Sequence, residues 1–111
     1  MTIAIRPAGK RVRVTFAGEV IADTRDAQAM EEGPYPVVFY VPRKDVRMER
    51  LARTSHHTHC PHKGDASYFS IVEGPENAVW SYERPFDAVD TIKDHLAFYP
   101  DKVDAITVSD D

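Results

Sequence analysis

Residues 34–42 read PYPVVFYVP, a five-residue apolar run from Val37 to Val41 with a proline at either end. Proline lacks the backbone N–H and disfavours helical geometry in the residue before it, so a helix cannot run through this stretch. β-Branched and aromatic side chains in a run of that length predict a buried strand. Further prolines follow at Gly74-Pro75, Pro85 and Pro100. Prolines near strand ends suggest bent or edge strands.

Similar short runs lie on both sides. In RVRVTFAGEVIAD, residues 11–23, Val12, Val14 and Phe16 alternate with Arg11, Arg13 and Thr15. The alternation predicts a half-buried strand, a turn at Ala17-Gly18, and a second strand through Val20 and Ile21. TRDAQAMEEG suits either a strand or one helical turn, and PRKDVRMERL a short helix or 3₁₀ turn opened by Pro42. ASYFSIVEG and NAVWSYERP read as strands, the second with Ala78, Trp80 and Tyr82 on one face. In PFDAVDTIKDHLAFYP, Pro85, Asp87 and Asp90 suit a first turn, and Phe86, Val89, Ile92 and Leu96 recur roughly every third residue, which predicts a helix. VDAITVSDD closes with a strand and a frayed acidic tail. The expected class is mainly β, with six or seven short antiparallel strands and one helix near the C-terminal third.

With 111 residues, 42% of them hydrophobic, the chain suits one domain over 1–111, with its core at about 11–108. No apolar stretch approaches the roughly 20 residues of a membrane span, and the N-terminus does not read as a signal peptide. A single cysteine forms no internal disulfide, so a reducing, cytoplasmic setting is expected. The net charge of −4 is uneven. Residues 42–63 carry Arg43, Lys44, Arg47, Arg50, Arg53 and Lys63 against only Asp45 and Glu49, whereas residues 64–111 are strongly acidic. A basic island in an acidic chain is a candidate anion site, or else a solvated face paired with the acidic half. The acidic remainder argues against nucleic acid as a partner.

The island ends in HHTHCPHKGDASYF, residues 56–69, which holds four of the five histidines and the only cysteine. On a strand His56 and Cys60 share one face, and His57 and His59 the other. That does not assemble four ligands, and no paired C-x₂-C or H-x₃-H unit supports it. No metal or other cofactor is expected; zinc on His56, His59 and His62 and Mg²⁺ at a transferase site are the alternatives. Cys60 is a candidate nucleophile among positive charges, with a packed thiol as its ordinary reading. PHKGDAS offers Lys63 as a point charge, Gly64 as a place of close backbone approach and Ser67 as a donor, although an ordinary turn between two strands, with Gly64 at positive φ, is the plainer local reading. The aromatics Tyr35, Phe39, Tyr40, Tyr68, Phe69, Trp80, Tyr82, Phe98 and Tyr99 are expected mostly in the core, with pocket lining open to Tyr68, Trp80 and Tyr82.

FAGEVIADT, VVFYVPRKDVRMERL, THCPHKGDASYFS, NAVWSYERP and HLAFYPDKVD occur in this order, and together the chain resembles the bacterial family known as domain of unknown function 427. THCPHKGDASY is similar to that family's T-x-C-P-[WFH]-K-G-x-A-x-Y signature, so Thr58, Cys60, Pro61, Lys63, Gly64, Ala66 and Tyr68 are signature positions without assigned roles. The resemblance implies a fold similar to the beta-tent, in which two antiparallel sheets meet at an angle, as in methionine sulfoxide reductase B and the cereblon ligand-binding domain. Tent relatives often hold zinc through two cysteine pairs, which the lone Cys60 does not supply. The family also carries a nucleotidyltransferase label, but the G-S…D-x-D arrangement of that chemistry is missing here.

The combined expectation is a small-molecule cleft for a carboxylate- or phosphate-bearing ligand. Arg47, His59, Cys60 and Lys63 stand at its mouth, and Tyr40, Tyr68, Trp80 and Tyr82 form its walls. Cys60 and Lys63 double as candidate catalytic residues should the chain be a nucleotidyl or phosphoryl transferase or a thiol-dependent enzyme. A protein-interaction module using the basic face is the third reading. No membrane partner is expected, and edge strands leave a homodimer open.

Overall fold

The computed structural model describes residues 2–111, so the expectation of one domain over 1–111 extends to Met1, outside the described residues. Ten strands form: β1 (Ile3–Pro7), β2 (Arg11–Phe16), β3 (Glu19–Thr24), β4 (Gln28–Glu32), β5 (Val38–Tyr40), β6 (Leu51–Cys60), β7 (Gly64–Ile71), β8 (Val79–Ser81), β9 (Ala97–Phe98) and β10 (Ala105–Ser109). The class is mainly β, as expected, and every strand pair is antiparallel. The strands divide into three sheets, not two: β1-β4-β5, β10-β2-β3 and β6-β7-β8-β9. Among the described residues no helix is long and apolar enough to cross a membrane.

Strand alternation explains how three sheets share so short a chain. In the four-stranded sheet, Phe69, Ile71, Val79 and Phe98 belong to one buried cluster with Val14, Ile21 and Ala22 of the β10-β2-β3 sheet. Side chains of opposite parity on the same strands, Ala66, Tyr68 and Ala97, belong to a second cluster with Met30 of β4 and Tyr40 of β5. Successive residues of a strand point to opposite faces, so the two faces of one sheet supply two cores. Two single bridges add ties: Ala22 of β3 to Val46, in the segment after β5, and Val41, just after β5, to Leu96, just before β9. At the second, each backbone N–H donates to the other residue's carbonyl at 2.8 Å. This bridge holds the end of β5 beside β9, and its two side chains belong to the first core.

The β2–β3 turn confirms its local chemistry: Ala17 and Gly18 both have positive φ, 51° and 77°. That is the twist of a two-residue hairpin loop that suits right-twisted strands. TRDAQAMEEG resolves as β4, and PRKDVRMERL as two 3₁₀ turns, Arg43–Asp45 and Met48–Arg50. The expected helix near the C-terminal third is a 3₁₀ stretch, Asp87–Ile92, interrupted where Val89 leaves helical geometry at φ −125°. Two aspartates, a valine and a threonine within six residues are weak helix formers, and the three-residue spacing of Val89 and Ile92 suits the tighter helix. Both are buried, whereas Phe86, expected on the same stripe, is exposed.

Two aromatics depart from the expected core. Tyr35 is 61% exposed, and Phe39 is only half-buried. Phe69, by contrast, is buried in the first cluster. The acidic end is partly engaged: Asp110 pairs with Lys10 at 2.7 Å, beyond the last residue of β10.

Candidate functional site

Beside the second core lies an open-sided cavity of about 190 Å³. Its walls come from three places. From β4 and β5 come Met30, Glu32, Val38 and Tyr40; from the four-stranded sheet come Tyr68 and Trp80. Tyr82, Tyr99, Lys63 and the Tyr35-Pro36 loop complete it. The parity of the strands places them there. Met30 and Glu32 are two apart on β4, Met30 sits opposite Val38, and Tyr68 sits opposite Trp80. Cross-strand partners share a face, so each register pair delivers its side chains to the same side.

The rings contact one another along the walls. Tyr40 and Trp80 meet edge to face at 90° with centroids 6.3 Å apart, Tyr40 and Tyr82 lie 6.4 Å apart, and Trp80 and Tyr99 4.5 Å apart. The polar tips of Tyr40, Tyr68, Trp80 and Tyr99 are matched. The Trp80 indole N–H donates to the Tyr40 hydroxyl at 3.3 Å, and the Tyr68 hydroxyl lies 2.9 Å from the Thr58 hydroxyl and 3.4 Å from that of Tyr99. Burial pushes the Tyr40 phenol up to about 12. It also raises the Tyr82 and Tyr99 phenols, so these walls stay uncharged through the neutral range.

Lys63 is the unusual residue. It lies in the β6–β7 turn, where its N–H donates to the Cys60 carbonyl and its own carbonyl accepts from Phe86 N–H. Gly64 follows with φ +111°, and a Cβ there would lie 3.3 Å from the Arg84 carbonyl oxygen. Glycine thus lets the turn lie against residues 84–86 and directs Lys63 inward. The lysine is only 9% exposed. Its ammonium donates to Glu32 Oε1 at 2.6 Å and stands 5.9 Å from the Tyr82 ring centroid. A buried lysine needs such a partner, because an isolated charge is too costly away from water.

Tyr40, Lys63, Tyr68, Trp80 and Tyr82, five of the residues expected at a cleft, line this cavity together. The other three lie elsewhere. Arg47 pairs with Glu19 at 2.9 Å and Glu49 at 3.2 Å and lines no part of the cavity. His59 lies on the opposite face of β6, its Nδ1 2.6 Å from Asp65. Cys60 is half-buried against the second core but does not line the cavity. The histidines are not gathered as ligands: His56 packs on the Tyr68 ring at 4.6 Å, and His62 is exposed in the turn. Among the described residues no three His, Cys, Asp or Glu side chains form a metal-holding group.

The basic island is largely neutralised within the fold. Arg43 and Arg53 both reach Glu83, Lys44 reaches Asp26, Arg50 reaches Glu19 and Lys63 reaches Glu32. Only Arg43 and Arg53 find their partner in the acidic half, at Glu83; the others pair with carboxylates of residues 1–49. Glu32, Met30, Val38 and Tyr99 were absent from the expected cleft. Assigning β4 as a strand would have placed Glu32 on the Met30 face.

A second, more apolar groove of about 450 Å³ adjoins the cavity and shares Tyr35, Pro36, Val38, Trp80 and Tyr99 with it. Phe39, Phe98, Pro100 and Ile106 extend it outward. Fold and site together define a mainly β protein with an aromatic cavity whose lining includes the Lys63–Glu32 ion pair. The chain belongs to the family described as Domain of unknown function (DUF427), whose model matches residues 4–109. No curated protein matches the chain.

Proposed function

We propose that this protein binds a small organic molecule in the aromatic cavity, with an electronegative group of the ligand on the Lys63 ammonium. One observation carries the reading: a lysine 9% exposed lines a cavity walled by tyrosine and tryptophan rings. An ammonium has three hydrogens to donate, and among the described residues Glu32 is its one side-chain partner. The remaining donors suit a carboxylate or phosphate oxygen. At about 30 Å³ for each water, the space equals roughly six waters, room for a small carboxylate or phosphate group.

The proposal extends to the setting. The sheets converging on this cavity are read as a beta-tent variant, and the lone, unpaired thiol of Cys60 suits a reducing bacterial cytoplasm. The transferase and thiol readings have no comparable observation in their favour. The test is calorimetric screening of a panel of small carboxylates, followed by Lys63→Met and Arg47→Ala. Lys63→Met should weaken any hit by about tenfold or more, while Arg47→Ala leaves it unchanged. Equal binding by the Lys63→Met protein would remove the reading.

A further inference from the structure

We infer that the ligand is a zwitterion, a small ammonium carboxylate whose two charges lie antiparallel to the Lys63–Glu32 pair. The inference rests on the cleft reading and narrows its chemistry. The cavity lining holds one positive and one negative group, 2.6 Å apart. A ligand carrying only a carboxylate would bring a net negative charge into a space walled by neutral rings. Beside Glu32 that charge is partly opposed, so a carboxylate alone binds more weakly than a ligand that also answers Glu32. A ligand with both signs places its carboxylate on the ammonium and its cation toward Glu32, so charges alternate and their sum stays zero.

The walls suit the cationic half. A cation gains from the faces of tyrosine and tryptophan rings, most of all when its own hydration is weak, as in a quaternary ammonium group. Trp80 and Tyr99 are half-buried and line both the cavity and the adjoining groove, whereas Tyr40, 1% exposed, meets Trp80 edge to face. Glu32 adds a formal negative charge: its side chain is 20% exposed, and Lys63 binds only its Oε1.

A matched trio of probes tests this by isothermal titration calorimetry on the intact protein. Trimethylglycine carries both charges, 3,3-dimethylbutanoate replaces its nitrogen by carbon and keeps only the carboxylate, and choline keeps only the cation. The expected result is binding of trimethylglycine at least about tenfold tighter than that of either comparison probe. Glu32→Gln should remove that preference while leaving 3,3-dimethylbutanoate binding unchanged or tighter. Should this variant fold poorly, Trp80→Leu serves instead, with loss of trimethylglycine binding expected to exceed loss of 3,3-dimethylbutanoate binding. Equal, Lys63-dependent binding of the two carboxylates would overturn the zwitterion and leave the cleft reading standing. Failure of trimethylglycine to bind at millimolar concentration would overturn the inference outright, and the carboxylate panel would then judge the cleft by itself.

Discussion

Lys63 and Glu32 pair at 2.6 Å with side chains 11% and 20% exposed, so each is the condition for burying the other. Removing one partner leaves a partly desolvated charge behind, which costs more than the pair contributes when intact. Lys63→Met and Glu32→Gln should each lower unfolding free energy by about 1–3 kcal/mol in urea titrations. The double variant should be more stable than the sum of the two losses implies, because neither charge remains to be solvated. Additive losses would mean that the pair is not coupled. Lys63 was recognisable in the sequence as a charge beside glycine in a distinctive turn. Glu32 was not, because the two are 31 residues apart and meet through tertiary packing alone. Local periodicity reports which face a residue occupies but not which distant residue faces it. The same limit explains Arg47: proximity in a basic run suggested a shared mouth, whereas its guanidinium is bound to Glu19 on β3.

Among the elements, those whose two faces differ in polarity were legible. β2 alternates buried valines with half-buried residues, and β7 and β8 carry the large apolar side chains of two cores. β1 and β6 went unread as strands, and both are edge strands. β6 has ten residues, most of them exposed, and its register shifts between Arg53 and His57. A strand with solvent along one edge and on much of both faces has little apolar pattern to display, and a bulge breaks what remains. The β6–β7 turn was readable because it depends on one residue. Gly64→Ala places a side chain at φ +111°, facing the Arg84 carbonyl 3.3 Å away. It should cost about 1–3 kcal/mol and weaken carboxylate binding, since the turn that aims Lys63 must shift. Asp65→Ala in the same hairpin loses only the exposed pair with His59 and should change stability by less than about 1 kcal/mol. Thermal melts of the two variants side by side distinguish backbone strain from general sensitivity of the turn.

Across the whole molecule, carboxylates tie together segments that no sheet joins. Glu83 is the clearest case: Arg53 of β6 holds it at 2.7 Å, and Arg43, just after β5, holds it at 3.2 Å. Both guanidinium groups also lie over the Phe69 ring, at 4.9 and 5.6 Å from its centroid, so the charge network caps the first core. The Arg53 hydrogen bond is the largest influence on Glu83 and draws its carboxyl down from 4.5 to about 2. A folded-state value below the unfolded one means that the unfolded chain binds the proton first. The stabilisation is therefore full above about pH 4.5 and is lost as pH falls toward about 2. With solvent screening allowed for, it amounts to about 1–2 kcal/mol. Glu83→Gln should lose that amount at pH 7 and show a flatter decline of stability between pH 4.5 and 2. The two proteins should converge at the acid end, where the native carboxyl is itself protonated. Parallel urea titrations at pH 7, 4 and 2.5 measure the difference, and a gap that stays constant across them would show that Glu83 acts through packing and not through its charge.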